Sequence, residues 1–276
     1  YYGMLKGSFG FETGRYVIAP AKEWVREAFT AIKNTENLQP IKRKSITNFL
    51  NKLQKEKHKN IMLLPKHREN IDADNWYNWL LKQVENLPFD SIISERFEHA
   101  ISYEDVIDGD KRWLIPPSIR IKKNAKDIVS LVAPLLRFGG HLYIVDQYFS
   151  LVNNTVLKEI FSSIQHCQSI NRITLVTTIN CANPQTAFDN EYVGKFKYLP
   201  RFEFIVPPIK FFHDRYIFTD KGAIKAGHGF SVGVEQGVQA DKLSLSLCGI
   251  DETLETKQWI NRLLAEGKAT QTFLHQ

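Results

Sequence analysis

Between residues 125 and 207 the chain switches repeatedly between a helical and a strand period, and this alternation restricts the fold more than any other feature. Residues 125–137 carry Ile128, Leu131, Val132 and Leu135 at helical spacing, with Pro134 inside the stretch as the source of a kink. Gly139-Gly140 ends it. Residues 141–149 read as a buried strand with a polar end, and residues 155–167 as a helix. Residues 172–179 form the next strand, 184–195 a helix or a loop, and 201–207 a third strand. Strand, helix, strand, helix, strand predicts an α/β domain with a mostly parallel sheet flanked by helices. Ligand sites in such sheets gather at the carboxyl ends of strands. That rule singles out Asp146 and Tyr148 after the first strand, and Thr177 and Thr178 after the second. Residues 243–247 read as an edge strand and 252–266 as a closing helix, and no internal repeat is visible.

After the third strand comes Phe211-Phe212-His213-Asp214-Arg215-Tyr216-Ile217-Phe218-Thr219-Asp220-Lys221-Gly222, followed by Ala223-Ile224-Lys225-Ala226-Gly227-His228-Gly229-Phe230. The pattern is strand, tight turn, strand. Asp220-Lys221-Gly222 is the turn, with Gly222 where a positive φ is expected. A hairpin of this length brings His213 and His228 to nearly the same level. Two imidazoles, a guanidinium and a carboxylate then share one end of a sheet, a grouping suited to phosphate chemistry.

His213, Arg215, Asp220 and Gly227 stand at the spacings of the phospholipase D-like signature: His-x-Lys, four residues, Asp, six residues, then Gly-Ser-x-Asn. The chain resembles that superfamily over residues 124–233. Asp146-Gln147-Tyr148 resembles the Asp-x-Tyr element after the first strand of that fold. Arg215 stands where the superfamily has Lys, and His228 and Phe230 where it has Ser and Asn. This version is similar to the degenerate phospholipase D-like domain at the C-terminus of eukaryotic MIT-domain proteins, with its His-Asp-Arg and Gly-x-Gly.

The resemblance implies the phospholipase D-like fold and, at an intact site, phosphodiester chemistry that needs no metal or other cofactor. One His attacks phosphorus, a second His from a second motif copy protonates the leaving group, and Lys and Asn hold the phosphate. Carried over, His213 is the nucleophile, Arg215 the phosphate-binding cation and Asp220 the acid of the motif. Arginine can bind phosphate in bidentate fashion, but its fork is larger than an ammonium and stays protonated. Phe230 offers phosphate no hydrogen bond. These departures imply a degenerate site of weak or no turnover. The other histidines, His58, His67, His99, His141, His166 and His275, lack the motif spacing. Turnover therefore requires either a homodimer joining two copies of His213, or His228 as the second imidazole within one chain. Gly227 and Gly229 would let a phosphate approach the backbone, with Asp146 and Tyr148 beside it. Bacterial proteins with such domains often belong to DNA-processing or phage-defence systems.

Residues 1–117 read as a mainly helical, basic region and 118–276 as the phospholipase D-like domain, with Pro116-Pro117 at the boundary. Residues 1–20, rich in Gly and aromatics, read as turns and short strands or as an arm packed on a partner. Helices are expected at 21–34, at 45–55 after a break at Pro40, at 75–86 with Asp74 as N-cap, and at 91–100. Residues 61–64 are a short strand or a helix end. Residues 41–68 hold nine Lys/Arg and one acid, about +8 in a chain of net charge +6, so the remainder is close to −2. Such local basicity is either a solvated helix face or a footprint for an anionic partner. Lys42, Arg43, Lys44, Lys52, Lys55 and Lys59 are the candidate nucleic-acid contacts.

Three widely spaced cysteines, Cys167, Cys181 and Cys248, suit reduced thiols in a cytoplasmic protein, and none has zinc-site spacing. The opening residues lack the pattern of a secretory signal, and no apolar run approaches the length of a membrane span. The first expectation is a module that binds a phosphate-bearing partner, nucleic acid ahead of lipid headgroups, because no insertion segment is visible. The alternative is a metal-independent phosphodiesterase or nuclease. A third possibility is a scaffold that docks a protein partner or itself.

Overall fold

A computed structural model describes residues 2–55, 60–95, 97–208, 215–232 and 242–276. The chain forms two compact units, one of Tyr1–Leu64 with Arg68–Pro116, the other of Pro117–Gln276 with Pro65–His67.

The first unit is mainly helical. It contains α1 (Tyr2–Gly7), β1 (Val17–Ile18), α2 (Ala21–Asn34), α3 (Pro40–Lys55), β2 (Met62–Leu63), α4 (Trp76–Asn86) and α5 (Tyr103–Ile107). α2 and α3 close on Val25, Leu50 and Leu53, with Trp24, Phe29, Ile32 and Phe49 around them. Several expectations change here. Residues 2–7 form a helix, not a turn or strand. Pro40 does not break before α3 but opens it, since a fixed φ and a missing N–H suit the first helical position. The N-cap of α4 is Asn75 instead of Asp74: its side chain accepts from the Asn78 amide at 3.0 Å. No described residue of 91–100 is helical. Ile93 bridges to Ile101 there, and the helix comes later, at α5, behind a Ser102/Asp105 capping box.

The second unit is α/β. Its elements are β3 (Ser118–Lys122), α6 (Ala125–Phe138), β4 (Gly140–Val145), α7 (Thr155–Cys167), β5 (Ile170–Val176), α8 (Pro184–Tyr192), β6 (Arg201–Val206), β7 (Arg215–Phe218), β8 (Ala223–Ala226), β9 (Lys242–Leu247), α9 (Ile250–Ala265) and β10 (Thr270–His275). One eight-stranded sheet runs in the order β10-β6-β5-β4-β7-β8-β9-β3. It is mixed and mostly antiparallel, which corrects the expected parallel sheet. Among the described residues of this sheet, β4–β5 and β5–β6 are the pairs that run parallel, the two steps crossed by α7 and α8. After β6 the chain returns on the far side of β4 as the β7–β8 hairpin, and every further pair is antiparallel. β9 is no edge strand: it lies between β8 and β3.

Alternation along the strands separates two faces. Leu142, Ile144, Ile173, Leu175, Phe202, Phe204, Ile217, Leu243 and Leu245 share one core with the apolar sides of α6, α7 and α8. Phe161 on α7 sits among the rings of Tyr192, Phe196, Phe202 and Phe188 at centroid distances of 5.0 to 6.3 Å. On the other face α9 covers the middle, with Lys257 Nζ 5.0 Å from the Tyr143 ring and 5.4 Å from Phe218. Among the described residues no helix is long and apolar enough to cross a membrane.

Candidate phosphate-binding site

The β7–β8 register pairs Arg215 with Ala226 and Phe218 with Ala223, so the hairpin has an open end at Arg215 and a closed end at the turn. The open end lies beside the carboxyl end of β4, where Val145 pairs with Tyr216. Asp146 follows β4 and is completely buried. One carboxylate oxygen accepts from the Phe230 amide at 2.6 Å and the other from the Tyr148 amide at 3.0 Å. Burial pushes this carboxyl up from the ordinary range, while the two amides and the charges of Arg215 and Lys123 pull it back. The carboxylate thus ties the loop after β4 to the loop after β8.

Gly229 is the counterpart of that tie. Its φ is +78°, and a Cβ there would lie 2.7 Å from Asp146 Oδ2. Glycine is required at 229 so that the chain can press against the buried carboxylate. Gly227 differs: a Cβ would meet nothing within 4 Å. The expectation that both glycines serve a phosphate therefore divides, with Gly229 serving Asp146 and only Gly227 facing open space.

Two cations reach this loop from different strands. Arg215 Nη1 donates to the Gly227 carbonyl at 3.2 Å, and its guanidinium carbon stands 5.9 Å from the Tyr148 ring centroid. Lys123, just after β3, donates to the His228 carbonyl at 3.2 Å. Burial lowers the pKa of the Lys123 ammonium, the Arg215 charge lowers it further, and Asp146 opposes both. Tyr148 is 44% exposed, and Ser231 Oγ donates to its carbonyl at 2.6 Å. The His228 side chain is exposed. Two cations, one internally bonded carboxylate, an exposed phenol and an exposed imidazole thus surround one glycine loop, an arrangement that can receive an anion.

Of the residues expected in this site, the structure brings together Arg215, His228, Gly227, Gly229, Tyr148 and Asp146. Asp146 is a positioning residue here, since a buried carboxylate cannot touch phosphate. His213 lies outside the described residues. Asp220 is not part of the group. It sits in the turn at the closed end of the hairpin, where its carboxylate pairs with Lys221 Nζ at 2.7 Å. Four residues lie between it and Arg215, a span of about 16 Å along extended chain. Gly222 lacks the expected positive φ; a Cβ there would lie 2.8 Å from Leu135 Cδ2, so a larger residue would have to displace that side chain. Thr177 and Thr178 both donate to the Gln147 carbonyl, at 3.2 and 2.7 Å, and brace the loop from outside the site. Lys123 was not expected. Its sequence signal is the basic pair Lys122-Lys123 directly ahead of Asn124, the side-chain N-cap of α6, which fixes where the pair sits.

The basic helix is narrower than its sequence suggests. Arg43 donates to the carbonyls of Ile32 and Thr35 at 2.8 and 2.9 Å, closing the end of α2. Arg68 is buried against Gln83 and the Leu87 carbonyl. Lys42, Lys44, Lys52 and Lys55 are exposed. At 100° per residue, Lys44, Lys52 and Lys55 fall within about 80° of each other, opposite Leu50 and Leu53. Lys59 lies outside the described residues. Among the described residues no group of three or more His, Cys, Asp or Glu comes together as a metal site.

No family model matches the chain, and no curated protein matches it. Among solved structures it is similar to TrmBL2, an archaeal chromatin protein with a novel mode of DNA binding, at 11% identity and a TM-score of 0.34. That match covers 70% of this chain and 60% of TrmBL2. It is also similar to NucT from Helicobacter pylori, at 10% identity and a TM-score of 0.33, over 54% of this chain and 95% of that one. Neither likeness is close enough to assign a family or a function, so the phospholipase D-like resemblance rests on the motif alone.

Proposed function

We propose that this protein binds the phosphodiester backbone of nucleic acid, with the loop 227–229 as a degenerate phospholipase D-like phosphate site. One observation carries the reading: Lys123 and Arg215, far apart in sequence, converge on the carbonyls of Gly227 and His228 beside exposed Tyr148. Their mutual repulsion in a partly buried place is relieved when an anion arrives. The ring of Tyr148 offers a base a stacking surface. Lys44, Lys52 and Lys55 on α3 supply further contacts that are independent of sequence and weakened by salt.

The second reading is phosphodiester cleavage through His213 and a second imidazole. Exposed His228, on the loop that Arg215 and Lys123 hold, favours it; the part of His213 rests on the motif spacing alone.

Labelled single-stranded DNA, duplex DNA and RNA, incubated in EDTA with the full chain, test both readings. Binding is expected to weaken roughly ten- to a hundredfold in Arg215→Ala with Lys123→Ala, the loss of about 1.5–3 kcal/mol typical of a charged hydrogen bond. Unchanged affinity in that double variant would remove the phosphate site. Cleavage that persists in EDTA and disappears in both His213→Ala and His228→Ala would establish the second reading.

A further inference from the structure

In the second unit, the sheet face opposite the main core carries a cationic surface of its own. β3 and β9 pair antiparallel, with Ser118 opposite Ser246, Arg120 opposite Ser244, and Lys122 opposite Lys242. Alternation turns Leu243 and Leu245 into the core and these six residues to the other face. Ser118, Arg120, Lys122, Lys242 and Ser244 are exposed. Neither strand contains an acid. Among the described residues, one bordering carboxylate, that of Glu252, is already engaged with Lys225 at 3.4 Å and with the Tyr216 hydroxyl at 3.2 Å.

An ordinary explanation covers part of this. β3 is an edge strand, and charges on an edge discourage pairing with another chain. That explanation does not reach Lys242, which sits on an interior strand directly opposite Lys122, where like charges oppose folding. The pair also lies at the end of β3 from which the chain passes to Lys123, whose ammonium holds the His228 carbonyl. Consecutive lysines therefore face opposite ways, Lys122 onto the open sheet and toward Lys242, Lys123 into the phosphate site.

We infer that the open face of β3 and β9 is a track for the nucleic-acid backbone that continues from the loop 227–229 across Lys122 and Lys242 to Arg120. This rests on the nucleic-acid reading above. Phosphates on the track would separate the lysine pair electrostatically, and Ser118, Ser244 and Ser246 would donate hydroxyl hydrogen bonds between the cations.

The test compares the wild-type chain with the triple variant R120Q/K122Q/K242Q, titrating labelled single-stranded and duplex DNA at several salt concentrations. Thermal unfolding checks that the variant is folded. The expected result is at least tenfold weaker binding at low salt. The slope of log K against log salt should be shallower by about 2 for single strands and about 2.7 for duplex, from three lost phosphate contacts. A second variant, Ser244→Glu, leaves all three cations in place and is expected to weaken binding in the same direction. Affinity and slope unchanged in both variants overturn the track; if Arg215→Ala with Lys123→Ala still loses binding, the phosphate site stands without it. Absence of binding by wild type overturns the track and the nucleic-acid reading together. Unchanged DNA binding with lost binding to phosphatidylserine vesicles assigns the face to lipid and overturns the track.

Discussion

The two ends of the β7–β8 hairpin are separated by only four paired residues, yet they are built on opposite electrostatic principles. At the open end a carboxylate is buried and fully engaged by backbone amides, and cations stand around it. At the closed end the carboxylate of Asp220 is exposed and pairs with Lys221, while the nearby imidazole is kept neutral. That imidazole is His141, whose Nε2 lies 2.7 Å from Thr174 Oγ1. The Thr174 hydroxyl donates its proton to Glu203, so it accepts from His141 Nε2–H. Burial, reinforced by Arg172 and Lys257, lowers the His141 pKa to about 4. Sequence reasoning grouped Asp220 with Arg215 because the motif lists them together. The strand between them shows that motif neighbours can serve different ends of one element.

The largest expected effect breaks the open end alone. Asp146→Ala strands the buried Phe230 amide, at a cost of about 1–3 kcal/mol, and releases the part-buried Tyr148 amide; it should lower the unfolding midpoint in urea while abolishing phosphate binding. Asp220→Ala should leave phosphate binding intact and cost at most the ~1 kcal/mol of its exposed ion pair. Next comes the glycine pair. Gly229→Ala forces a left-handed alanine against Asp146 and should cost roughly 1–3 kcal/mol, whereas Gly227→Ala should leave stability unchanged. Equal effects at the two positions would mean that the loop is held in some other way.

A smaller effect separates the closed end by pH. The folded pKa of His141 lies below its ordinary value of 6.5, so the unfolded chain binds the extra proton first. Its contribution to stability is fully present above pH 6.5 and is lost as pH falls toward 4. Unfolding followed across that window should show a slope that His141→Asn flattens and Arg215→Ala does not. The smallest effect is that of Asp220→Asn. This exposed ion pair is worth at most about 1 kcal/mol, and its loss should leave nucleic-acid affinity unchanged.

How much of this was legible in the sequence follows from the range of the interactions. α6, α7 and β4 to β6 could be read because their apolar periods are local and their caps, such as Asn124 and Asn154, adjoin them. The direction of the sheet beyond β6 could not, since it depends on β7 choosing β4 as a neighbour, a pairing across some seventy residues. β3 was missed because its short Ser-Ile-Arg-Ile-Lys run is exposed along most of its length and follows Pro116-Pro117, which read as a boundary. Lys123 was missed for the same reason: a motif written along one hairpin cannot name a cation contributed by a strand a hundred residues away. Arg43 and Arg68 erred in the other direction, since composition counts a charge but does not show the carbonyls that already hold it.

The carboxylate of Asp146 has a consequence in time as well as in space. The amides of Tyr148 and Phe230 share one acceptor group, so freeing either loop weakens the hold on the other. In hydrogen exchange the two loops should behave as one cooperative unit, although 82 residues separate them along the chain. A ligand seated on the His228 side would then slow exchange at the Tyr148 amide as well as at Phe230, whether or not a base stacks on the Tyr148 ring.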